Sequence, residues 1–166
     1  MTNSISLYSL SFREARTYLW AAGFIVANMV LPYVFHLLPQ GGIIFAPLSL
    51  VIMAGGFKLG WRVALLAAVV SPLANHLLSG TPVWNMLPLM TSKLVIIAIV
   101  SGLMAQRFKS AHLLVIISTV LICLILGGIA GVIFNGDFSS AITDITIGWP
   151  GLLLMTFGTW LVANKL

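Results

Sequence analysis

The sequence predicts an all-α polytopic membrane protein: six transmembrane helices with both termini in the cytoplasm. Three observations predict it. Of 166 residues, 60% are hydrophobic and only 7% charged, against roughly 25% charged in soluble domains, and the mean hydropathy is +1.13. The chain divides into six apolar stretches, near 17–38, 43–59, 61–80, 86–106, 111–134 and 140–163, each close to the ~20 residues that cross a hydrocarbon core. Lys and Arg fall in alternate connections: Arg13 and Arg16 before the first stretch, Lys58 and Arg62 between the second and third, Arg107 and Lys109 between the fourth and fifth, Lys165 after the sixth. The opposite connections hold no Lys or Arg, and their one charge is Asp137. Cytoplasmic loops are the ones enriched in Lys and Arg, so the alternation fixes the orientation and requires an even number of spans.

Span one carries Asn28, Pro32 and His36 at steps of four, which lines them along one helical face. It also carries Gly23 and Ala27, a Gly-x-x-x-Ala pattern that lets another helix approach closely. "LPQGG" at 38–42 ends it with turn chemistry. Only "FKLGWR" separates spans two and three, so a tight hairpin is expected there. Span three brings Ser71, Asn75 and His76 into its last three turns, where Pro72 loosens the backbone. "SGTPVWN" then turns the chain and presents Trp84 and Asn85.

Span four holds Lys93 about seven residues from its outer edge, or roughly 10 Å at 1.5 Å per residue. "RFKSAH" is a charged break, and span five follows with a smooth strip of Gly127, Gly128 and Gly131. Its Cys123 is the single cysteine of the chain, so no disulfide or cysteine metal site is available, and it reads as a small core or lipid-facing residue. After the polar turn "NGDFSS", span six places Asp144 one turn in, with Gly148 and Gly151 continuing that face and Trp149 beside them. No cleavable leader is expected, because the residues through Arg16 are polar and mixed and the next apolar run is too long for a signal.

A lysine near the centre of a span costs about 2.5–3.5 kcal/mol on insertion scales, so it faces a cavity, pairs with an acid or snorkels to the interface. Most other polar groups lie in the same outer half, which points to a pocket open to the outside. Its candidate substrate-binding residues are Lys93, Asp144, Asn75, His76, Asn28, His36, Trp84, Asn85 and Trp149. The competing structural reading is a Lys93–Asp144 ion pair stapling spans four and six, with Asn and His bonded to neighbouring helices.

Other chemistries find little footing. With three acids in the chain there is no His-Glu-x-x-His, no carboxylate pair in one segment and no nucleophile grouping, so no enzyme, metal site or cofactor is expected. The formal charge of +5 sits at the ends of apolar runs, which suits the inner leaflet of a lipid bilayer rather than nucleic acid. No Gly-x-x-x-x-Gly-Lys-[Ser/Thr] loop occurs, so any ATP-driven work falls to a partner.

From Gly41 to Arg107, about two fifths of the chain, the sequence resembles the substrate-binding S components of energy-coupling factor transporters, the bacterial vitamin and micronutrient importers. The shared pattern runs from a Gly-rich loop through Phe-x-Pro, the hairpin "GGFKLGWR", "SP" and "SGTP", to "MLPLM" and "VSGLMAQR". The resemblance implies a six-helix subunit of the bacterial cell membrane that binds one small molecule near its external face. The loops between spans one and two and between spans three and four would help to close the site. It also implies a transmembrane coupling protein and two cytoplasmic ATPases as partners, docked partly through small residues on span one, where Gly23 and Ala27 match by position.

Two departures bear on the cargo. Family members often follow Phe-x-Pro with Met-His and a second Pro, where this chain has Phe45-Ala46-Pro47-Leu48-Ser49-Leu50, and many carry a glutamate where Lys93 stands. A cation in low dielectric favours a carboxylate or phosphate on the ligand. Asp144 would then accept from a hydroxyl or amine, and Trp84 and Trp149 would cover an apolar body. An acidic vitamin or precursor of the pantothenate, nicotinate, lipoate or biotin kind is expected.

Two other functions compete: a non-transporting membrane scaffold of the cell-shape and elongation machinery, and a stand-alone secondary transporter. The first needs no polar groups gathered at one depth. The second usually shows related halves, and the sequence has no internal repeat.

Overall fold

A computed structural model describes residues 10–35, 44–109 and 111–165. Among them every regular element is helical: α1 (Ala15–Phe35), α2 (Pro47–Leu59), α3 (Trp61–Ser79), α4 (Leu87–Phe108), α5 (Leu113–Asn135), α6 (Ser139–Thr146) and α7 (Trp149–Lys165), with a 3-10 turn at Trp84–Met86 before α4. By length and composition α3, the 3-10 turn with α4, and α5 can each cross a membrane, and α6 with α7 makes a fourth if the pair counts as one bent span. The outward faces are apolar, with Leu19, Val26, Leu77, Leu114, Ile125 and Ile133 all exposed, which suits contact with lipid rather than water.

Two of the expected spans take a different form. In place of an unbroken 43–59, helical Ile44 and Phe45 are set off at Ala46 from the 13-residue helix α2, roughly 20 Å long at 1.5 Å per residue. The break has a backbone cause: Ala46 adopts a left-handed conformation (φ 40°) and Pro47 opens the helix, supplying no N–H for a bond back into the preceding chain. The stretch 140–163 is divided into α6 and α7, bent by 68°. Gly148 lies at the bend and Pro150 follows in the first turn of α7, a position where its missing N–H is not needed. The loop 38–42 lies outside the described residues.

α2 forms the centre. It packs on α1, α3, α4 and α7, and Val51 to Phe57 are buried without interruption, as expected of a helix apolar all round. Lipid tails give helices no hydrophobic reason to associate, so close packing through small residues must hold them. The α2–α4 crossing is built that way. A Cβ on Gly56 would collide with the Ser101 side chain of α4, and at the neighbouring α3–α4 contact one on Gly102 would stand 2.5 Å from Trp61 Cα. Ala64, Ala67 and Ala68 of α3 and Ala98 and Ala105 of α4 extend this small-residue core.

The tight hairpin expected at "FKLGWR" comes down to one residue. Gly60, at φ 91° and ψ 165°, separates α2 from α3, a backbone region open in practice to glycine alone.

Contacts also gather the basic helix ends. The Arg62 guanidinium donates to Leu10 O at 3.5 Å and lies 5.1 Å from the Trp61 ring and 5.8 Å from Phe12. The start of α5 meets the end of α7, where Asn164 Nδ2 donates to Ala111 O at 3.2 Å.

Candidate functional site

Lys93 extends from the second turn of α4 across α5 to α6. Its stem passes over Gly127, where an added Cβ would meet Lys93 Cγ at 3.6 Å, an ordinary van der Waals contact. Its Nζ donates to Asp144 Oδ2 at 2.5 Å, with the lysine side chain 20% and the aspartate 39% exposed. The lysine is the more deeply held partner.

Asp144 sits on an element with little anchorage. None of the residues of α6 is buried, and the helix packs on α5 and α7. Its seat on α5 is the glycine strip: Gly128 faces Ala141, at 3.3 Å for an added Cβ, and Gly131 faces Ser140. The strip that reads as smooth in the sequence is thus used inside the bundle. At its N-terminus, Ser139 N donates to Asp137 Oδ1 at 3.0 Å, and the Ser139 hydroxyl bonds the same oxygen. These bonds hold the Asp137 carboxyl below its ordinary pKa.

Beside the ion pair lies a cavity of about 90 Å³, bounded by the start of α2 (Ala46, Ser49), α4, α5 and the α6–α7 bend (Gly148, Gly151). Its floor is Ile97, Val120, Cys123, Leu124, Leu152 and Met155. Among the described residues, the polar side chains on its walls that can form strong hydrogen bonds are Lys93, Asp144 and Ser49. Gly151 is needed for this shape, since a Cβ there would lie 2.6 Å from Ile44 O.

Among the sequence candidates that the structure describes, the cavity collects Lys93 and Asp144 and leaves the others elsewhere. Asn28 and Asn75 form a buried polar knot between α1 and α3. Asn28 Nδ2 donates to Ser71 Oγ at 3.1 Å, and Asn75 Nδ2 donates to Asn28 O and Ser71 O, each at 3.0 Å. Asn28 Oδ1 is buried with no partner. His76 Nδ1 donates to Pro82 O at 2.8 Å and its ring lies 5.2 Å from that of Trp84, a helix-end arrangement that ties α3 to the following loop. Trp84, Asn85 and Trp149 are exposed, and Trp84 borders a separate open groove with Leu73, Pro88 and Val95. His36 lies outside the described residues.

Pattern reasoning missed Ala46, Ser49, Ile97, Val120, Leu124, Leu152 and Met155 as cavity walls. Apart from the Ser49 hydroxyl they carry no polar chemistry of their own. A signal existed only for Ala46 and Ser49, in the Phe-x-Pro stretch, and for Gly148 and Gly151, which step along the Asp144 face. Among the described residues, no group of three or more His, Cys, Asp or Glu comes together that could hold a metal ion.

On α1, Gly23 is exposed and an added Cβ there would meet nothing within 4 Å, while Ala27 is half-buried. Gly23 therefore faces away from the bundle. A scan against protein-family models finds no match to this chain, and searches of curated proteins and of solved structures find none either.

Proposed function

We propose that this chain is the substrate-binding subunit of an energy-coupling-factor-type importer, with six membrane crossings, cytoplasmic termini and a small acidic vitamin or precursor as cargo. The observation that carries the reading is the Lys93–Asp144 pair on the wall of an otherwise apolar cavity. A cation kept at such a place favours an anionic group on a ligand, because partial burial strengthens the attraction and Ser49 is the one other strong donor among the described lining residues. The gathering of basic helix ends by Arg62 and Asn164 supports the cytoplasmic orientation.

Partners enter through α1. The open space around Gly23, next to half-buried Ala27, suits close approach by a helix of a transmembrane coupling protein. Two cytoplasmic ATPases would supply the energy.

One observation favours a second reading. About 90 Å³ is well under the ~300 Å³ at which ordinary small-molecule sites begin, so cargo enters only if a wall moves. If none does, Lys93–Asp144 is a staple and the protein is a membrane scaffold. Thermal unfolding of the protein in lipid nanodiscs, run against a panel of acidic vitamins and their neutral amides, separates the two. Cargo capture predicts a raised melting temperature with at least one acid and not with its amide. A melting temperature that no member of the panel moves refutes it.

A further inference from the structure

Resting on the binding role proposed above, the geometry points to a specific exchange: the carboxylate of a slender aliphatic acid takes the place of Asp144 on Lys93, with its tail along the Ile97–Cys123–Met155 floor. Which partner leaves follows from anchorage. The Lys93 stem is laid over Gly127 between α4 and α5, and the side chain is 20% exposed. Asp144 is 39% exposed and rides on α6, which buries no residue. An incoming amine would have to move the anchored lysine, whereas an incoming carboxylate displaces only the loosely seated acid. The displaced Asp144 carries α6 with it, and α6 is the wall whose movement enlarges the cavity.

The tail is defined by what the floor lacks. Ile97, Val120, Cys123, Leu124, Leu152 and Met155 offer aliphatic and sulfur contacts with no strong donor or acceptor. A hydroxyl, amide or ureido group lying on this floor, away from Ser49, would be buried without a partner among the described residues, at a cost in affinity. Among the described residues no aromatic ring lines the cavity, so none of them stacks on a flat cargo. Asp144 is thus an internal competitor, and the affinity of the intact protein is lowered by the fraction of time it holds Lys93.

The test uses the full chain in nanodiscs and radiolabelled octanoate as probe, with empty nanodiscs subtracted. Octanoate binds the wild type, while octanol, octylamine and benzoate fail to displace it. Asp144→Asn, with Asp144→Ser beside it as a second variant, binds about tenfold tighter, the gain for removing a competitor that occupies the site roughly nine-tenths of the time. Lys93→Gln loses binding and Lys93→Arg keeps it. Cys123→Phe, which fills the floor, loses it too.

Weaker or unchanged binding in both Asp144 variants overturns the exchange. Benzoate displacing octanoate as well as octanoate itself overturns the aliphatic class. Either result leaves the binding role standing. Binding of palmitate but not octanoate keeps the head-and-tail site but assigns it to a bilayer fatty acid, which overturns cargo capture. If neither octanoate, benzoate nor palmitate binds, the inference falls. If the vitamin panel also leaves melting unmoved, the binding role falls with it.

Discussion

Lys93 Nζ stands 2.5 Å from Asp144 Oδ2, and the two residues are unequally held, 20% against 39% exposed. Removing either leaves the other alone, and the cost follows how far the survivor is from solvent. Asp144→Ala strands the more buried ammonium and should destabilise the protein by about 1–2 kcal/mol, more than Lys93→Met, which strands the more exposed carboxylate and should cost under about 1 kcal/mol. The Lys93→Met/Asp144→Leu double variant should recover most of the loss. Thermal unfolding of the three variants in nanodiscs gives the order, and a Lys93→Met effect larger than that of Asp144→Ala would contradict it.

Asn28 and Asn75 should prove structural. Asn75→Ala removes the bond to Asn28 O that ties α3 to α1 and the bond to Ser71 O within α3, which should cost about 1 kcal/mol. Ligand affinity should stay within about twofold of wild type, because neither asparagine reaches the cavity. Equilibrium binding on the folded variant checks this.

The two small-residue surfaces should respond in opposite ways. Gly102→Ala forces a Cβ to 2.5 Å from Trp61 Cα, backbone that cannot step aside, and should cost about 2–3 kcal/mol. Gly23→Ala meets nothing within 4 Å and should stay within about 0.5 kcal/mol of wild type. The larger Gly23→Leu should fold normally and weaken co-purification with the coupling protein. A Gly23→Leu variant that folds and still assembles fully would rule out docking through this face.

At the N-terminus of α6, Ser139 holds the Asp137 carboxyl below its ordinary pKa. A carboxyl depressed in the folded state stabilises above its unfolded pKa, and the contribution is lost as pH falls through the folded value. The Ser139 amide should therefore be protected from hydrogen exchange at neutral pH, relative to Asp137→Ala, and lose that protection in acid below the ordinary carboxylate range. Equal protection in the two proteins would show that the bond is absent in solution.

The sequence makes some of this legible and hides the rest for physical reasons. Charge alternation places Lys93 and Asp144 at similar depth, and their facing follows because opposite charges in low dielectric seek each other. Asn28 and Asn75 also read as inward polar groups. Which neighbour each one faces depends on helix rotation about the bundle, which a depth argument leaves open, so they seemed to belong with Lys93. Trp84 and Trp149 mislead in the same way: their loop positions are clear, but they project outward. The short α2 and the α6–α7 bend escape hydropathy because an apolar window does not register a left-handed Ala46 or a turn at Gly148. Pro47 and the run "GWPG" at 148–151 were the available signals. Gly56 of "GGFKLGWR" and Gly102 of "VSGLMAQR", far apart in the chain, are explained by close approaches of α4 to α2 and to the start of α3.

Cargo capture at Lys93 is tested most directly by native mass spectrometry of wild-type and Lys93→Gln proteins purified side by side from the same cells. Wild type should carry a bound small molecule that ionises as an acid, and the folded variant should carry none. A bound molecule present equally in both would contradict a role for Lys93 in holding it, and a wild type that binds nothing even after incubation with acidic vitamins would contradict capture altogether.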